Sequence, residues 1–182
     1  MGAELWYHEA PWHSNPSEAL RALQTQFLAE NYNLTKVLPQ HLKWARESLA
    51  AAQADDDRYG LVDLYAEKVQ LLERLNSEPI PADPAAQIEI LRQIYADSGQ
   101  GISNVLDVTG VSSQRSFFTA RPLAPVEIMH FTGAAQPSIS EAREALDKIN
   151  EALGRGECVC FPVYEDDRKT PVGWFFVGNT VD

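Results

Sequence analysis

The sequence has few basic residues, only two cysteines and no long apolar run. Its 26 aspartates and glutamates outnumber its 15 lysines and arginines, which gives a formal net charge of −11. Such a chain repels the phosphate backbone of nucleic acids, so we expect no nucleic-acid partner. No stretch reaches the roughly 18 apolar residues of a membrane-spanning helix, so we expect no membrane association. The first residues lack the basic start and apolar stretch of a secretory signal, which predicts a cytoplasmic protein.

The sequence also lacks the short motifs that mark common enzymes and cofactor sites. It has no glycine-rich phosphate loop, no dinucleotide fingerprint and no Gly-x-Ser-x-Gly nucleophile motif. Its four histidines form no His-x-His or His-x-x-x-His pair, and Cys158 and Cys160 have no second cysteine pair with which to hold zinc. We therefore expect no metal and no cofactor, and we interpret the two cysteines as core residues of one strand.

The remaining composition is that of a folded domain with helices first and strands later. Hydrophobic residues make up 45% of the chain and charged residues 23%, which is typical of globular proteins. Helical spacing and capping signals predict helices at about 16–31, 40–53, 57–77, 84–97 and 139–153. Gly99 and Gly101 are expected to end the fourth of these. Side-chain alternation and β-branched or aromatic residues predict strands at 5–10, 102–108, 116–120, 126–131, 157–164 and 172–178.

This order predicts a single α+β domain over residues 1–182, with a mixed or antiparallel sheet of about five strands and helices packed mainly on one face. The first strand should join the C-terminal strands because both need a covered face. The last two strands form an antiparallel hairpin, and the strand 126–131 should lead through the helix 139–153 to a parallel neighbour that ends near Val163. The helical segment at about 38–97 is interpreted as an insertion in this domain.

Three segments together resemble a loose group of small bacterial proteins of unknown function. They are GAELWY at 2–7 with Pro11 and ALRALQ at 19–24, GISNVLDV at 101–108, and VYED at 163–166 followed by FVGN at 176–179. The resemblance covers both ends and about half of the chain, and the helices between about 38 and 82 look like an added or variable part. The resemblance implies a bacterial cytoplasmic protein, and it carries over no catalytic residue.

Four polar residues in or beside predicted strands form the candidate polar site: His8, Asp107, Arg121 and His130. Each is set among apolar neighbours that could bury it, and burial without a partner is unfavourable, so such groups tend to pair. If His130 pairs with Asp107 or Glu127, its pKa rises and the pair titrates near neutrality. The alternative is that each side chain contacts the backbone and stabilises the sheet.

Two functions are compatible with these observations. The first is a non-enzymatic binding protein that docks a protein partner or a second copy of itself as a homodimer, and it rests on the missing catalytic motifs, the acidic surface and the aromatic residues at both ends. The second is a small enzyme that uses a histidine on a strand with a nearby carboxylate. A pocket with converging polar groups would favour the enzyme, and an apolar groove or patch would favour the binding protein.

Overall fold

The structure, a computed structural model, describes residues 4–55, 57, 59–96 and 102–180. Within these residues it contains seven α-helices and one five-stranded mixed sheet, so the predicted α+β class is confirmed. The strands are β1 (Leu5–Pro11), β2 (Gly110–Val111), β3 (Thr119–Pro122), β4 (Cys158–Tyr164) and β5 (Pro171–Asn179). The helices are α1 (Pro16–Asn31), α2 (Leu34–Ala54), α3 (Val62–Ser77), α4 (Pro84–Tyr95), α5 (Pro125–Thr132), α6 (Ile139–Glu144) and α7 (Leu146–Ala152). Gly2, Ala3, Gly99 and Gly101 lie outside the described residues.

The chain divides into two units. The first comprises Met1–Phe27 and Tyr95–Asp182 and contains the sheet, and the second, Leu28–Ile94, is helical. The interpretation of 38–97 as an insertion in one domain stays a prediction.

The sheet has the strand order β1-β5-β4-β3-β2. β5 pairs in antiparallel fashion with β1 on one side and β4 on the other, which confirms both the C-terminal hairpin and the recruitment of the first strand. β4 pairs in parallel with β3, and β3 pairs in parallel with β2. Because β5 lies between two neighbours, its hydrogen bonds are satisfied on both edges and its residues can be apolar on both faces.

The core lies on both faces of β5. On one face, Phe175 and Val177 join Phe161 of β4 and Ile149 of α7 in one buried cluster. On the other face, Phe176 lies opposite Cys160, and both are fully buried. Cys158 and Cys160 are free and buried, so their interpretation as core residues is confirmed.

The predicted strand at 126–131 is wrong, because these residues form helix α5. Pro125 stands at the first helical position, where its missing N–H is not needed. The Glu127 carboxylate accepts the N–H of Ala124 at 2.9 Å and satisfies a donor at the helix start. Gly133 ends the helix with a φ of 79°, a conformation that glycine adopts without strain. The parallel strand before β4 is therefore β3, and the connection runs through α5, α6 and α7.

The predicted strand at 102–108 is also wrong. Residues Val105–Asp107 form one turn of 3-10 helix, which begins where the Asn104 side chain accepts the N–H of Leu106 at 2.9 Å. Val105 and Leu106 are fully buried. The apolar residues that suggested a strand are therefore buried, but they belong to a helical turn. The next predicted strand, 116–120, is shifted by a few residues to β3, and the short β2 was not predicted.

The second unit is built from α2, α3 and α4. Asn33 caps α2 by accepting the N–H of Thr35 at 3.0 Å. The Asp57 carboxylate accepts the N–H groups of Leu61 and Val62, and α3 begins at Val62. The Lys68 ammonium of α3 is buried and donates to the carbonyl of Ile94 at the end of α4, where the helix dipole favours a cation.

Candidate functional site

The structure places the four residues of the predicted polar site in four different settings. His8 lies on β1, half-buried, with its ring edge-on to that of Phe27 at a centroid distance of 4.8 Å. Burial lowers the pKa of His8 because an apolar environment disfavours the charged imidazolium. His8 is therefore a neutral packing residue at neutral pH.

His8 makes the stability of the fold depend on pH. The pKa of His8 in the folded chain lies below its unfolded value of about 6.5. Its contribution to the free energy of unfolding is therefore present above pH 6.5 and is lost as the pH falls through the folded pKa. We expect the unfolding free energy to fall less between pH 7 and pH 5 in His8→Gln than in the original chain, by up to about 1.4 kcal/mol per pH unit. Urea unfolding at several pH values measures the slope. Equal slopes in the two proteins would contradict the prediction.

Asp107 holds a loop. Its two carboxylate oxygens accept the N–H groups of Ile102 and Ser103, at 2.9 and 2.7 Å. These bonds stabilise Ser103 in a left-handed conformation with a φ of 60°. Asp107 therefore contacts the backbone, as in the alternative in which the four polar side chains have a structural role.

His130 lies on the exposed side of α5, in its last turn, with its ring 5.3 Å from that of Phe131. It does not lie on a strand, because the segment that carries it is helical. Glu127, one of the two carboxylates considered as its partner, is instead bonded to Arg121.

Arg121 and Glu127 form a two-pronged ion pair. Nη1 and Nη2 of Arg121 donate to Oε2 and Oε1 of Glu127, both at 3.0 Å. Arg121 lies opposite Val159 in the β3–β4 pairing, so its side chain points to the face of the sheet that α7 covers. The guanidinium lowers the pKa of Glu127, and the carboxylate raises the pKa of Arg121. The pair joins the start of α5 to strand β3.

A second ion pair lies beside the first. Nε of Arg115 is 2.6 Å from Oε1 of Glu157, and its Nη2 also donates to the carbonyl of Ala152 at the end of α7. The Arg115 and Arg121 guanidiniums lower the pKa of Glu157 despite its burial. The two pairs border a cavity of about 160 Å³, which we name the ion-pair cleft. Its apolar wall consists of Leu123, Phe131, Ile149, Leu153 and Val159.

A larger and more open depression lies at the turn between β4 and β5, and we name it the acidic groove. It has a volume of about 570 Å³. It is lined by Ser138, Ile139, Ser140, Tyr164, Glu165, Asp166, Asp167 and Val172. Ile139 and Val172 are half-buried against the core, and the three acids are exposed.

None of the ion pairs that the structure describes involves the three acids of this groove. Arg168, which follows them in sequence, donates to Glu141 at 2.6 Å rather than to any of the three. Asp167 accepts the N–H groups of Lys169 and Thr170, and these bonds lower its pKa. Asp167 therefore fixes the turn in the ionised state, and Glu165 and Asp166 contribute negative charge to the rim of the groove.

Sequence reasoning predicted Arg121 and considered Glu127, but it did not single out Arg115 or Glu157. Arg115 lies in the loop before β3 and Glu157 precedes β4, and 42 positions separate them. No local spacing pattern links such residues. The parallel pairing of β3 with β4 brings them together. A parallel neighbour for β4 was predicted, but it was assigned to residues 126–131 instead of β3.

Comparisons of the chain with protein-family models, with curated proteins and with solved structures found no match. Among the described residues, no helix is both long and apolar enough to span a membrane. In the same part of the chain, no three His, Cys, Asp or Glu side chains form a group that could hold a metal ion.

Proposed function

We propose that the protein is a non-enzymatic binding protein of the bacterial cytoplasm, and that it docks a basic protein segment in the acidic groove. The observation that carries the proposal is the combination of an apolar floor and an anionic rim. Ile139, Tyr164 and Val172 offer apolar contact area, and Glu165 and Asp166 flank it with charge that Arg168 does not neutralise. A partner segment that alternates basic and apolar side chains matches both features.

The charge of the chain supports a foreign partner over a second copy. Each molecule carries a formal net charge of −11, so two acidic grooves repel each other. A basic partner is attracted over long range, and the attraction accelerates its association. Of the aromatic residues expected to support a homodimer, Trp174, Phe175 and Phe176 are buried within the fold. Trp12 and Tyr7 stack on Trp174 and Phe175 but stay 41% and 42% exposed.

The second hypothesis, a small enzyme with a histidine on a strand beside a carboxylate, has less support. His8 is on a strand, but its ring contacts are with Trp6 and Phe27. His130 lies on a helix, and Glu127 is bonded to Arg121. The free cysteines are compatible with a reducing compartment such as the cytoplasm.

A peptide-binding experiment tests the proposal. The probe is a short synthetic peptide that alternates arginine with leucine, and the measurement is fluorescence anisotropy at physiological salt. We expect Glu165→Gln combined with Asp166→Asn to weaken binding about fivefold or more, because two charge contacts are lost. Asp167 is left intact because it holds the turn.

The matched control removes two exposed acids from α7, with Asp147→Asn and Glu151→Gln, which give the same change in net charge. We expect this control to bind the peptide nearly as well as the original chain. Equal weakening in both double variants would mean that the peptide responds to the total charge, and it would overturn the groove as the docking site. A peptide with serine in place of leucine should bind more weakly, and equal binding would contradict the role of the apolar floor.

A further inference from the structure

The ion-pair cleft contains two positive and two negative side chains in alternation. Arg121 is bonded to Glu127 and is within electrostatic range of Glu157, while Glu127 is also within range of Arg115. Each of the four charges therefore interacts with two charges of opposite sign. The cleft is close to neutral in total, but it offers separate positions for an anionic and a cationic group.

Both arginines keep hydrogen-bond donors that the ion pairs do not use. An arginine has five N–H groups. In the contacts that the structure describes, Arg121 directs two of them to Glu127, which leaves three. Arg115 uses Nε and Nη2 for Glu157 and Ala152, so both N–H groups of Nη1 are left. A carboxylate can bind these donors without breaking either ion pair.

The two glutamates likewise keep acceptor capacity. A carboxylate has about four lone-pair positions. Glu127 accepts two N–H groups from Arg121 and one from Ala124. Glu157 faces Nε and Nη2 of Arg115 and accepts the N–H of Gly154. One position is left on each, and the hydroxyl of Ser116, which also lines the cleft, adds a third acceptor for an ammonium group.

The remaining wall of the cleft is apolar and its volume is small. Phe131, Leu153 and the neighbouring core residues supply the apolar contact surface. A volume of about 160 Å³ is the space of about five water molecules, which is below the usual range for nucleotide- or drug-sized ligands. A ligand that packs against this wall and also binds the free donors of the arginines and the free acceptor positions of the glutamates is small, zwitterionic and partly apolar.

We propose that the ion-pair cleft binds a free α-amino acid with a branched apolar side chain. Its carboxylate accepts from Arg115 and Arg121, its ammonium donates to Glu127 and Glu157, and its side chain packs against Phe131 and Leu153. A simple anion would use only the remaining donors of the arginines, and a simple cation would use only the remaining acceptor positions of the glutamates. This site is separate from the acidic groove, so the proposal goes beyond the binding of a basic partner.

Isothermal titration calorimetry of the full chain with L-leucine tests the proposal. We expect saturable one-to-one binding with a dissociation constant of about 1 mM or tighter. Three comparison ligands each lack one feature: 4-methylpentanoate lacks the ammonium, 3-methylbutylamine lacks the carboxylate, and glycine lacks the side chain. Each should bind about tenfold more weakly or worse, because one of the three sets of contacts with the cleft is then lost. These ligands test the site without altering the protein.

A variant then locates the binding. Phe131→Trp narrows the cleft and leaves the four charges in place, and we expect it to abolish leucine binding while the circular dichroism spectrum is unchanged. Phe117→Trp is the matched control, because Phe117 is 64% exposed and does not line the cleft. The proposal is overturned if L-leucine does not bind to the folded chain, if 4-methylpentanoate or 3-methylbutylamine binds as tightly as leucine, or if a folded Phe131→Trp binds leucine normally. Failure of these tests leaves the peptide experiment on the acidic groove unaffected.

Discussion

Replacing Gly173 by alanine is expected to destabilise the sheet by roughly 3 kcal/mol, at the upper end of the range for overpacked cores. Gly173 lies on β5 opposite Pro11 of β1. A Cβ atom on Gly173 would approach the backbone oxygen of Ala10 to 2.5 Å, which is closer than carbon and oxygen can pack. Because the obstacle is main chain, it can be relieved only by moving β1 away from β5. Urea unfolding monitored by circular dichroism gives the change in unfolding free energy.

Gly110→Ala is the matched control for this substitution. Gly110 lies on β2, and a Cβ atom there would have no heavy atom within 4 Å among the neighbours considered. We expect a change within about 0.5 kcal/mol, as for most surface substitutions. If Gly173→Ala were as stable as Gly110→Ala, β1 would be able to shift without loss, and the close approach of the two strands would not contribute to stability.

The position of β1 could be predicted from the sequence because local and non-local patterns agree there. Residues 5–10 favour a strand, and Pro11 ends it. The segment from Trp174 to Val177 is apolar on both faces and therefore requires neighbours on both edges and cover on both sides. Few other segments are available as a second neighbour, so the pairing of the first strand with the last follows from the need to bury apolar surface.

Helix α5 was predicted as a strand because the hydrophobic pattern of so short a segment fits both the alternation of a strand and the spacing of a helix. Val126, Ile128 and His130 alternate with Glu127 and Met129 as a strand would. The eight residues of α5 are too few for the helical period to outweigh this alternation. The signals at its ends identify the helix, since proline stands at its first position, glutamate at its third and glycine just after its last. Terminal signals are more informative than periodicity in segments of this length.

The ion-pair cleft could be predicted only in part. Arg121 was identified because a charged residue among apolar strand residues needs a partner. Its actual partner is set by the start of α5, which depends on the correct helix assignment. The pairing of Arg115 with Glu157 depends on the register of β3 against β4, which no local pattern specifies. The acidic groove could not be predicted as a site, because its lining residues at 138–140 and 164–172 come from separate segments that meet only in the folded chain.

Replacing Arg121 by methionine is expected to destabilise the protein by about 2 kcal/mol. Methionine keeps an unbranched apolar chain, so the packing of the Arg121 stem against the sheet is largely retained. Glu127 loses both charge-assisted hydrogen bonds while its side chain is only 35% exposed. Leaving such a carboxylate without its cation costs about 1–3 kcal/mol. Thermal and urea unfolding measure the loss.

A double-mutant cycle with Glu127→Gln separates the ion pair from the packing of Arg121. Glutamine can still accept the N–H of Ala124, so the start of α5 keeps its cap, but it carries no charge. We expect the double variant to be more stable than the sum of the single losses predicts, by about 1 kcal/mol, since Arg121→Met leaves an unpaired carboxylate only when Glu127 is present. Strict additivity would show that the two side chains act independently. The pair would then not be the link that holds α5 to β3, and the charges of the cleft would not be fixed by each other.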